Sequence, residues 1–407
     1  MPPEQNRVKY KQQGQSRKAA PECFGIRGRR GNGNRPGNSW FRAIFKWIYS
    51  TVFLLFRRFH ECGDYMNFAI FSPIMKALIL IGGLGTRLRP LTLKAPKPLI
   101  PVANVPFIYH QILQVKAAGV REVILAMGYK ASMFRRALGN GKRFGLKLRY
   151  VEEKRPLGTG GGVGNASQFL DGTTLIMNGD NLHDLDIRRF LANHRKKKGI
   201  VSIALTRVAD PTQFGLVETD AGGRIKRFLE KPSANQITCD TINSGAYLFE
   251  PQAWETIPKG RPSSLERDLF PNLLTKGRRL LGFISDRYWI DIGTREKYHQ
   301  VHMDLLRKKA KFSSIPKGRK GSLLVDKLAR VSKSAILDGA VCIGPKVTVG
   351  PEARLSNCVI LAGTKIGARA AVSDCVVGPR CRIGSDVVVR AGTVLGEGSV
   401  LSDYTRA

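Results

Sequence analysis

The stretch MKALILIGGLGTRLRPLT, residues 75–92, decides the fold. Its apolar run Lys76–Ile81 is typical of a buried strand, and closely spaced glycines follow at once. Such glycines let backbone N–H groups turn toward a phosphate chain without obstruction by a Cβ atom. Arg87 and, in the continuation PKPL (96–99), Lys97 add positive charge. No Gly-Lys-Ser/Thr closes the motif, so it is not a Walker A loop. We call residues 82–99 the glycine loop.

Downstream of the glycine loop, strand and helix patterns alternate. Apolar spacing predicts a helix over Pro106–Ala118 and strands over Val123–Ala126, Leu148–Val151 and Thr174–Met177. This order predicts an α/β fold with a Rossmann-like, doubly wound, mixed sheet that is mostly parallel. In such sheets the ligand lies beyond the carboxyl ends of the strands, where the glycine loop begins.

Two aspartates follow apolar strand patterns. Asp180 comes after the strand at 174–177, and Asp291 lies between Ile290 and Ile292 at a second strand end. Two carboxylates from separate strand ends can share one Mg²⁺, which takes one or two carboxylates plus phosphate oxygens. An aspartate after a strand can equally be a helix N-cap or a turn residue. The residues alone leave both interpretations open.

The glycine loop GGLGTRLRPLT…PKPL resembles the signature of the sugar-1-phosphate nucleotidyltransferases, also called NDP-sugar pyrophosphorylases. Further blocks follow in that family's order: PLGTGGG (156–162), NGD (178–180), FGLVETD (214–220), EKP (230–232), INSGAYLFEP (242–251), SLERDLFP (264–271) and YWIDIGT (288–294). GTGGG stands where the family more often has GTAG. The resemblance implies an enzyme that transfers a nucleoside monophosphate from an NTP to a sugar 1-phosphate and releases pyrophosphate.

The resemblance also implies the roles of individual residues. Those expected to be catalytic, through charge on the phosphates, are Arg87, Lys97 and Lys231. Those expected to bind the nucleotide are Gly82, Gly83, Gly85, Thr86, Arg87, Lys97, Gly158 and Thr159. Those expected to bind the sugar phosphate are Gly215, Glu230, Lys231 and Asn243. The implied Mg²⁺ ligands are Asp180 and Asp291. No general base is expected, because the attacking phosphate oxygen is already an anion and positioning dominates phosphoryl chemistry.

A repeat occupies the C-terminal segment. Aliphatic residues recur every sixth position from Val331 to Leu361, and the rhythm continues to Leu401 with two five-residue steps. This pattern predicts a left-handed parallel β-helix of hexapeptide repeats with about four coils. None of the six histidines lies in these coils, so the acyl transfer of hexapeptide acyltransferases is not expected. Contact between subunits is the expected role of the β-helix, and we predict a homo-oligomer assembled through it.

We therefore predict four segments. They are a basic, largely disordered N-terminal extension (1–74), a nucleotidyltransferase catalytic domain (75–306), a basic linker (307–330) and the β-helix (331–407). Within the extension, the apolar run Trp40–Phe56 carries Arg42 and Lys46 and is shorter than the roughly 20 apolar residues that span a bilayer. No membrane crossing is expected, while membrane association of this segment through an interfacial helix stays open.

Charge and cysteine content narrow the setting. The chain has 67 Lys and Arg against 31 Asp and Glu, a net charge of +36, which by itself suggests a polyanionic partner. The motifs instead indicate small phosphates, and nucleic acid is not expected as a partner. Seven cysteines, an odd number with no C-x-x-C pair, indicate neither a disulfide framework nor a zinc site. A reducing, cytoplasmic location is expected.

Within the resembled family, a catalytic domain followed by a short β-helix favours GTP and mannose 1-phosphate as substrates. Thymidylyl or adenylyl transfer to glucose 1-phosphate, and transfer to heptose or amino-sugar phosphates, stay open. The alternative of another class is a non-catalytic regulatory relative. Against it stand five intact charged residues, Arg87, Lys97, Asp180, Lys231 and Asp291, since decayed relatives usually lose several of them.

Overall fold

The predicted first strand lies inside a nine-stranded sheet in the computed structural model, which describes residues 75–83, 85–128, 130–316 and 321–407. The predicted N-terminal extension lies outside the described residues. The strands before the coil are β1 (Lys76–Ile81), β2 (Pro101–Val102), β3 (Val105–Pro106), β4 (Glu122–Met127), β5 (Lys147–Glu152), β6 (Thr174–Asn178), β7 (Asn181–His183), β8 (Val201–Arg207), β9 (Gly215–Thr219), β10 (Ile225–Glu230), β11 (Thr241–Phe249), β12 (Leu280–Ile284) and β13 (Trp289–Asp291).

Helices cover both faces of this sheet. They are α1 (Phe107–Ala117), α2 (Ala131–Leu138), α3 (Gly158–Ala166), α4 (Ile187–Lys197), α5 (Pro251–Trp254), α6 (Phe270–Thr275) and α7 (Arg295–Leu306). Side-chain caps fix two of their starts, because Asp186 accepts from the Arg189 N–H and Thr294 from the Lys297 N–H. Among the described residues, no helix is both long and apolar enough to cross a bilayer.

The sheet is parallel in one half and mixed in the other. Strands β5, β4, β1 and β6 run parallel in that order, which confirms the doubly wound prediction. Side chains of β1 alternate between two cores, with Ala77 and Ile79 in one and Leu78 in the other. Strand β11 then pairs antiparallel with β6 and β8. The carboxyl ends of β1 and β6 therefore meet at one edge, where the glycine loop begins.

A separate two-stranded sheet carries the second predicted metal ligand. Strand β13 pairs antiparallel with β7, so that Asp291 lies opposite Asn181. The Ile292 N–H also donates to the Asp180 carbonyl at 3.1 Å. Asp291 thus ends a strand of the small sheet and not a strand of the main sheet. Its pairing with β7 places it near the edge of the main sheet.

Three ladders of parallel strands form the C-terminal β-helix, which confirms the predicted architecture. We call this β-helix, which begins at Leu323, the coil. The first face contains Leu323–Val325, Val341–Ile343, Val359–Ile360, Val376–Val377 and Val394–Leu395. The second contains Arg330–Val331, Thr348–Val349, Lys365–Ile366, Arg382–Ile383 and Val400–Leu401. The third contains Ile336–Asp338, Arg354–Ser356, Ala371–Ser373 and Val388–Val389. Regular strands begin at Leu323, inside the predicted linker, and the domain limits themselves stay predictions.

The first face of the coil packs against the α/β portion. Its outward side chains Cys342, Val359 and Val376 share one buried core with Val301 and Leu305 of α7. The inward side chains form a second core that includes Cys358, Cys375 and Cys381. All four coil cysteines are free and buried.

Candidate active site

The glycine loop folds back on itself at Gly85. This residue has φ = 63°, which favours glycine, and a Cβ there would lie 3.1 Å from Lys97 Cβ. The Thr92 hydroxyl donates to the Gly85 carbonyl at 2.7 Å, and the Leu88 N–H donates to the same carbonyl at 3.1 Å. Leu88 and Leu91 are buried beneath the loop. The upper side of the loop is therefore left open to a ligand.

A cavity of about 410 Å³ lies above this loop at the carboxyl ends of β1 and β6. Its lining includes these predicted site residues: Gly82, Gly83, Gly85, Thr86, Arg87, Lys97, Gly158, Thr159 and Asp180. Residues far apart in sequence thus meet where the doubly wound topology places a ligand. Their individual roles stay predictions.

Lys97 lies between the two predicted metal ligands. Its Nζ is 3.5 Å from Asp180 Oδ2 and 3.8 Å from Asp291 Oδ1, and its side chain is only 9% exposed. Lys97 is expected from its sequence motif to contact the substrate phosphates. In the structure its nearest charged partners are these carboxylates, and its position in the cavity lining leaves contact with a phosphate open as well.

The two carboxylates fit a divalent cation. Asp291 Oδ1 is buried and has no hydrogen-bond partner among the described residues. Burial raises the pKa of Asp291, the charge of Asp180 raises it further, and Lys97 and Arg87 oppose the shift. A shared cation would relieve this repulsion. The described residues contain no group of three or more His, Cys, Asp or Glu side chains that could hold a metal ion, so further oxygen ligands would come from substrate phosphates or water.

Gly293 lines the cavity beside Asp291 and Arg87, and it is not among the residues predicted from the sequence. A Cβ on Gly293 would lie 2.8 Å from Asp291 Oδ2 and 2.9 Å from Arg87 Nη2. Any side chain there would displace the carboxylate or the guanidinium. The absence of a Cβ therefore lets Arg87 and Asp291 approach each other beside the cavity.

Helix α3 borders the opposite side of the cavity and packs through its backbone. Gly158 has φ = 73°, and a Cβ there would lie 2.6 Å from the Ser263 carbonyl oxygen. A Cβ on Gly161 would lie 2.7 Å from the Arg261 carbonyl oxygen, and a Cβ on Gly164 would lie 2.7 Å from that of Pro258. The glycine-rich sequence GTGGGVG (158–164) thus allows residues 258–263 to lie directly on the helix.

The predicted sugar-phosphate residues lie outside the cavity lining. Gly215 and Glu230 are cross-strand partners in β9 and β10, and Lys231 follows with φ = 53° and an exposed side chain. Asn243 donates to the Tyr247 hydroxyl at 2.9 Å and accepts from the Gly245 N–H at 2.9 Å. The structure therefore places the predicted residues in two groups.

Glu266 joins these two groups, and the sequence analysis missed it. Its Oε2 accepts from the Thr159 hydroxyl at 2.6 Å, and its Oε1 accepts from the Tyr247 hydroxyl at 3.2 Å. Burial raises the pKa of Glu230, and the charge of Glu266 raises it further. Glu266 lies in the block SLERDLFP, but sequence spacing gives no signal of a contact with Thr159.

Glu153 is the second residue that the sequence analysis missed. It lines the cavity, is half-buried, and accepts from the Leu157 N–H at 3.2 Å. Burial raises the pKa of its carboxyl group. A partly desolvated carboxylate beside a nucleotide-sized cavity offers hydrogen-bond acceptors to a ligand that carries N–H groups.

Comparisons with known proteins agree with this architecture. The family model described as "Nucleotidyl transferase" matches residues 76–308, and the model described as "GMPPB C-terminal domain" matches residues 319–406. Among solved structures, a putative glucose-1-phosphate thymidylyltransferase from Bacillus anthracis, in complex with a sucrose, is 25% identical. That match has a TM-score of 0.53 and covers 59% of this chain and 98% of the other.

Curated relatives match over most of both chains. A mannose-1-phosphate guanylyltransferase from Mycobacterium tuberculosis is 41% identical over 294 residues, which is 72% of this chain and 81% of the relative. Mannose-1-phosphate guanylyltransferase 1 from Arabidopsis thaliana is 36% identical over 340 residues, which is 81% of this chain and 93% of the relative.

Proposed function

The chain belongs to the nucleotidyl transferase family, and from that premise we propose that it transfers GMP from GTP to mannose 1-phosphate, forming GDP-mannose and pyrophosphate. Family membership confirms the predicted nucleotidyltransferase. The choice of base and sugar is our proposal. The names of the relatives from Mycobacterium tuberculosis and Arabidopsis thaliana support it.

The carboxylate of Glu153 in the cavity is the observation that favours guanine. Guanine presents a ring N–H and an exocyclic amino group side by side, and a carboxylate can accept from both. Adenine offers one donor beside a ring acceptor on the corresponding edge, and uracil and thymine offer one N–H between two carbonyls. Because Glu153 is partly desolvated, a base that supplies fewer donors would leave acceptor capacity of its carboxylate unused, and Glu153 would discriminate against those bases.

The proposed mechanism is displacement at phosphorus. An oxygen of the sugar phosphate attacks the α-phosphorus of the NTP, and pyrophosphate leaves in line. Arg87 and the N–H groups of Gly82, Gly83 and Gly85 would hold the triphosphate, while Lys97 keeps Asp180 and Asp291 in place. These carboxylates would hold Mg²⁺, which neutralises phosphate charge when bound; members of this family generally use a divalent metal.

The second group of residues would bind the other substrate. Lys231 would neutralise the sugar phosphate, while Glu230 and Asn243 would hydrogen-bond sugar hydroxyls above Gly215. Glu266 would hold Thr159 and Tyr247 in register between the two substrates. The homo-oligomer and the cytoplasmic location stay predictions; the described cysteines are all free, which supports a reducing setting.

The test is pyrophosphate release by the full-length protein with Mg²⁺, four NTPs and the 1-phosphates of mannose, glucose and heptose. GTP with mannose 1-phosphate should give the highest kcat/KM. No turnover with any pair would favour the non-catalytic relative, and a different best pair would refute the proposed specificity.

Inosine triphosphate, which lacks the exocyclic amino group, tests Glu153 itself. The wild type should prefer GTP over ITP by about tenfold, the worth of one good hydrogen bond to a charged group. Glu153→Gln should largely lose that preference. The matched control is Glu152→Gln, because Glu152 is exposed and pairs with Arg135 at 2.6 Å. Equal use of GTP and ITP by the wild type would contradict the assignment.

A further inference from the structure

The C-terminal coil contacts the glycine loop directly. The turn at residues 396–399 lies against the loop segment that follows Arg87. A Cβ on Gly396 would lie 2.9 Å from Pro90 Cβ, and Lys94 Nζ is 3.1 Å from Glu397 Oε1. Glu397 is also paired with Arg380 of the neighbouring coil turn. One carboxylate therefore joins the coil to the loop.

The underside of the loop is buried in the same core as the coil. Leu88 and Leu91 share it with the outward side chains Cys342, Val359 and Val376. Burial of these leucine side chains stabilises the contact more than a surface ion pair does. The position of the coil and the position of the loop are consequently coupled.

Two further hydrogen bonds fix the coil on the α/β portion. Asn104 Nδ2 donates to the Ile343 carbonyl at 2.8 Å, and His299 Nε2 lies 2.6 Å from the Asn357 carbonyl. These contacts are at other coil turns than Gly396. The coil is therefore attached along its length and does not depend on Glu397 for docking.

Thr92, which lies between Pro90 and Lys94 in the chain, connects the contact with the coil to the cavity lining. The Thr92 hydroxyl holds the Gly85 carbonyl, and Gly85 lines the cavity. On the other side, Lys130 Nζ donates to the carbonyls of Leu93 and Lys94 at 3.2 and 3.3 Å. The segment after Arg87 is thus held between Lys130 and the coil.

We propose that the 396–399 turn positions the glycine loop for the NTP. Gly396 and Glu397 hold Pro90 and Lys94, and so set where Gly85 and Arg87 stand in the cavity. Glu397 is a positioning residue, since it touches the loop and not the substrate. This inference rests on the proposed binding of the NTP above the glycine loop. The predicted sugar-phosphate residues lie on β9–β11 or directly after β10, outside this contact, so the effect is specific to the NTP.

Glu397→Gln and a matched control test the proposal. Asp386 pairs with Arg369 at 2.7 Å, and in both pairs the arginine precedes the acid by 17 residues. Glu397→Gln should raise the KM and Kd for GTP about fivefold and leave kcat and the KM for mannose 1-phosphate within about twofold, because a misplaced loop weakens binding of one substrate. Asp386→Asn should leave all four values unchanged.

Gly396→Ala supplies a second variant that keeps both ion pairs. Its φ is not positive, so alanine adds no backbone strain, but its Cβ must displace Pro90. The KM for GTP should rise again. Wild-type GTP binding by both variants would overturn the inference, as would equal kinetic losses in Glu397→Gln and Asp386→Asn.

The proposed function fails separately. The proposed substrate specificity is refuted if the wild type prefers an NTP other than GTP. In that case the KM of each variant for the preferred NTP is divided by the wild-type KM for the same NTP. A rise in that ratio still supports the positioning role, and an unchanged ratio refutes it.

Discussion

The Oγ1 of Thr159 donates a 2.6 Å hydrogen bond to Oε2 of Glu266. Thr159 lines the cavity, while the other carboxylate oxygen of Glu266 accepts from Tyr247, the partner of Asn243. One half-buried carboxylate therefore connects the predicted nucleotide residues with a predicted sugar-phosphate residue. The same Oε2 also accepts from the Ser264 hydroxyl at 2.9 Å, so Glu266 joins three hydroxyl groups.

Glu266→Gln should impair the use of both substrates. An amide retains one acceptor oxygen and presents a donor in place of the other, so at least one of the two hydroxyl protons loses its acceptor at a cost of about 1 kcal/mol or more. We expect kcat/KM to fall about tenfold for GTP and for mannose 1-phosphate. The control is Asp268→Asn, since Asp268 accepts only the Ser264 N–H in this region. Glu266→Gln kinetics equal to those of the control would exclude this connecting role.

Asp180→Asn should abolish most turnover while sparing the fold. The Asp180 side chain is 51% exposed and asparagine has the same shape, so the substitution leaves no cavity. Loss of a metal ligand should lower kcat by at least about 100-fold. Asp171→Asn is the control, because Asp171 is exposed and pairs with Lys76 at 2.6 Å. Pyrophosphate release across a Mg²⁺ titration measures both; wild-type turnover by Asp180→Asn would remove it from the metal site.

The free energy of unfolding should fall as the pH drops from about 6.5 to about 4. Burial lowers the pKa of each of His110, His183 and His302 to about 4. Over that interval the unfolded chain binds protons that the folded chain does not, so acid favours unfolding. Each histidine contributes up to about 3 kcal/mol.

Urea unfolding at pH 7.5 and pH 5 measures this loss. His110→Gln removes one of the three groups, although it also loses the contacts to Ser314 and to the Val102 carbonyl. Its stability should be lower than that of the wild type at pH 7.5, and it should depend less on pH. A midpoint that does not change between the two pH values would contradict the prediction.

Gly158→Ala should be more damaging than Gly172→Ala. Both glycines have a positive φ, at 73° and 56°, so alanine costs about 1 kcal/mol of backbone strain at either. Only at Gly158 would the Cβ meet a carbonyl oxygen, that of Ser263, whereas nothing lies within 4 Å at Gly172. Thermal unfolding and the KM for GTP should both separate the variants. Equal losses would show that the contact of α3 with Ser263 is unimportant.

The sequence predicts the parallel half of the sheet and the coil because their patterns are local. Strand β1 and the glycines after it lie within one short stretch, and the hexad rhythm repeats side chains that face one core. The site residues in the cavity follow from motif blocks that end parallel strands. The resemblance added the residues predicted to bind the sugar phosphate, which lie on or directly after strands of the antiparallel half of the sheet.

Contacts between distant segments could not be predicted in this way. Glu266 meets Thr159 across 107 residues, and neither spacing nor composition records that contact. Asp291 reaches Lys97 through the small sheet of β7 and β13, which is too short to show a periodic pattern. Glu153 lies outside the motif blocks, and only the structure shows that it lines the cavity.

The ion pair between Lys94 and Glu397 joins residues that are 303 positions apart. Translation proceeds from the N-terminus at roughly 5–20 residues per second, so residue 94 leaves the ribosome about 15–60 s before residue 397. During that interval Leu88 and Leu91 lack the coil that covers them, and the loop lacks one of its supports. A nascent chain therefore carries every residue that lines the cavity before the coil is there to contact the glycine loop. If the proposed positioning role holds, the loop takes its final place only once the coil has been made.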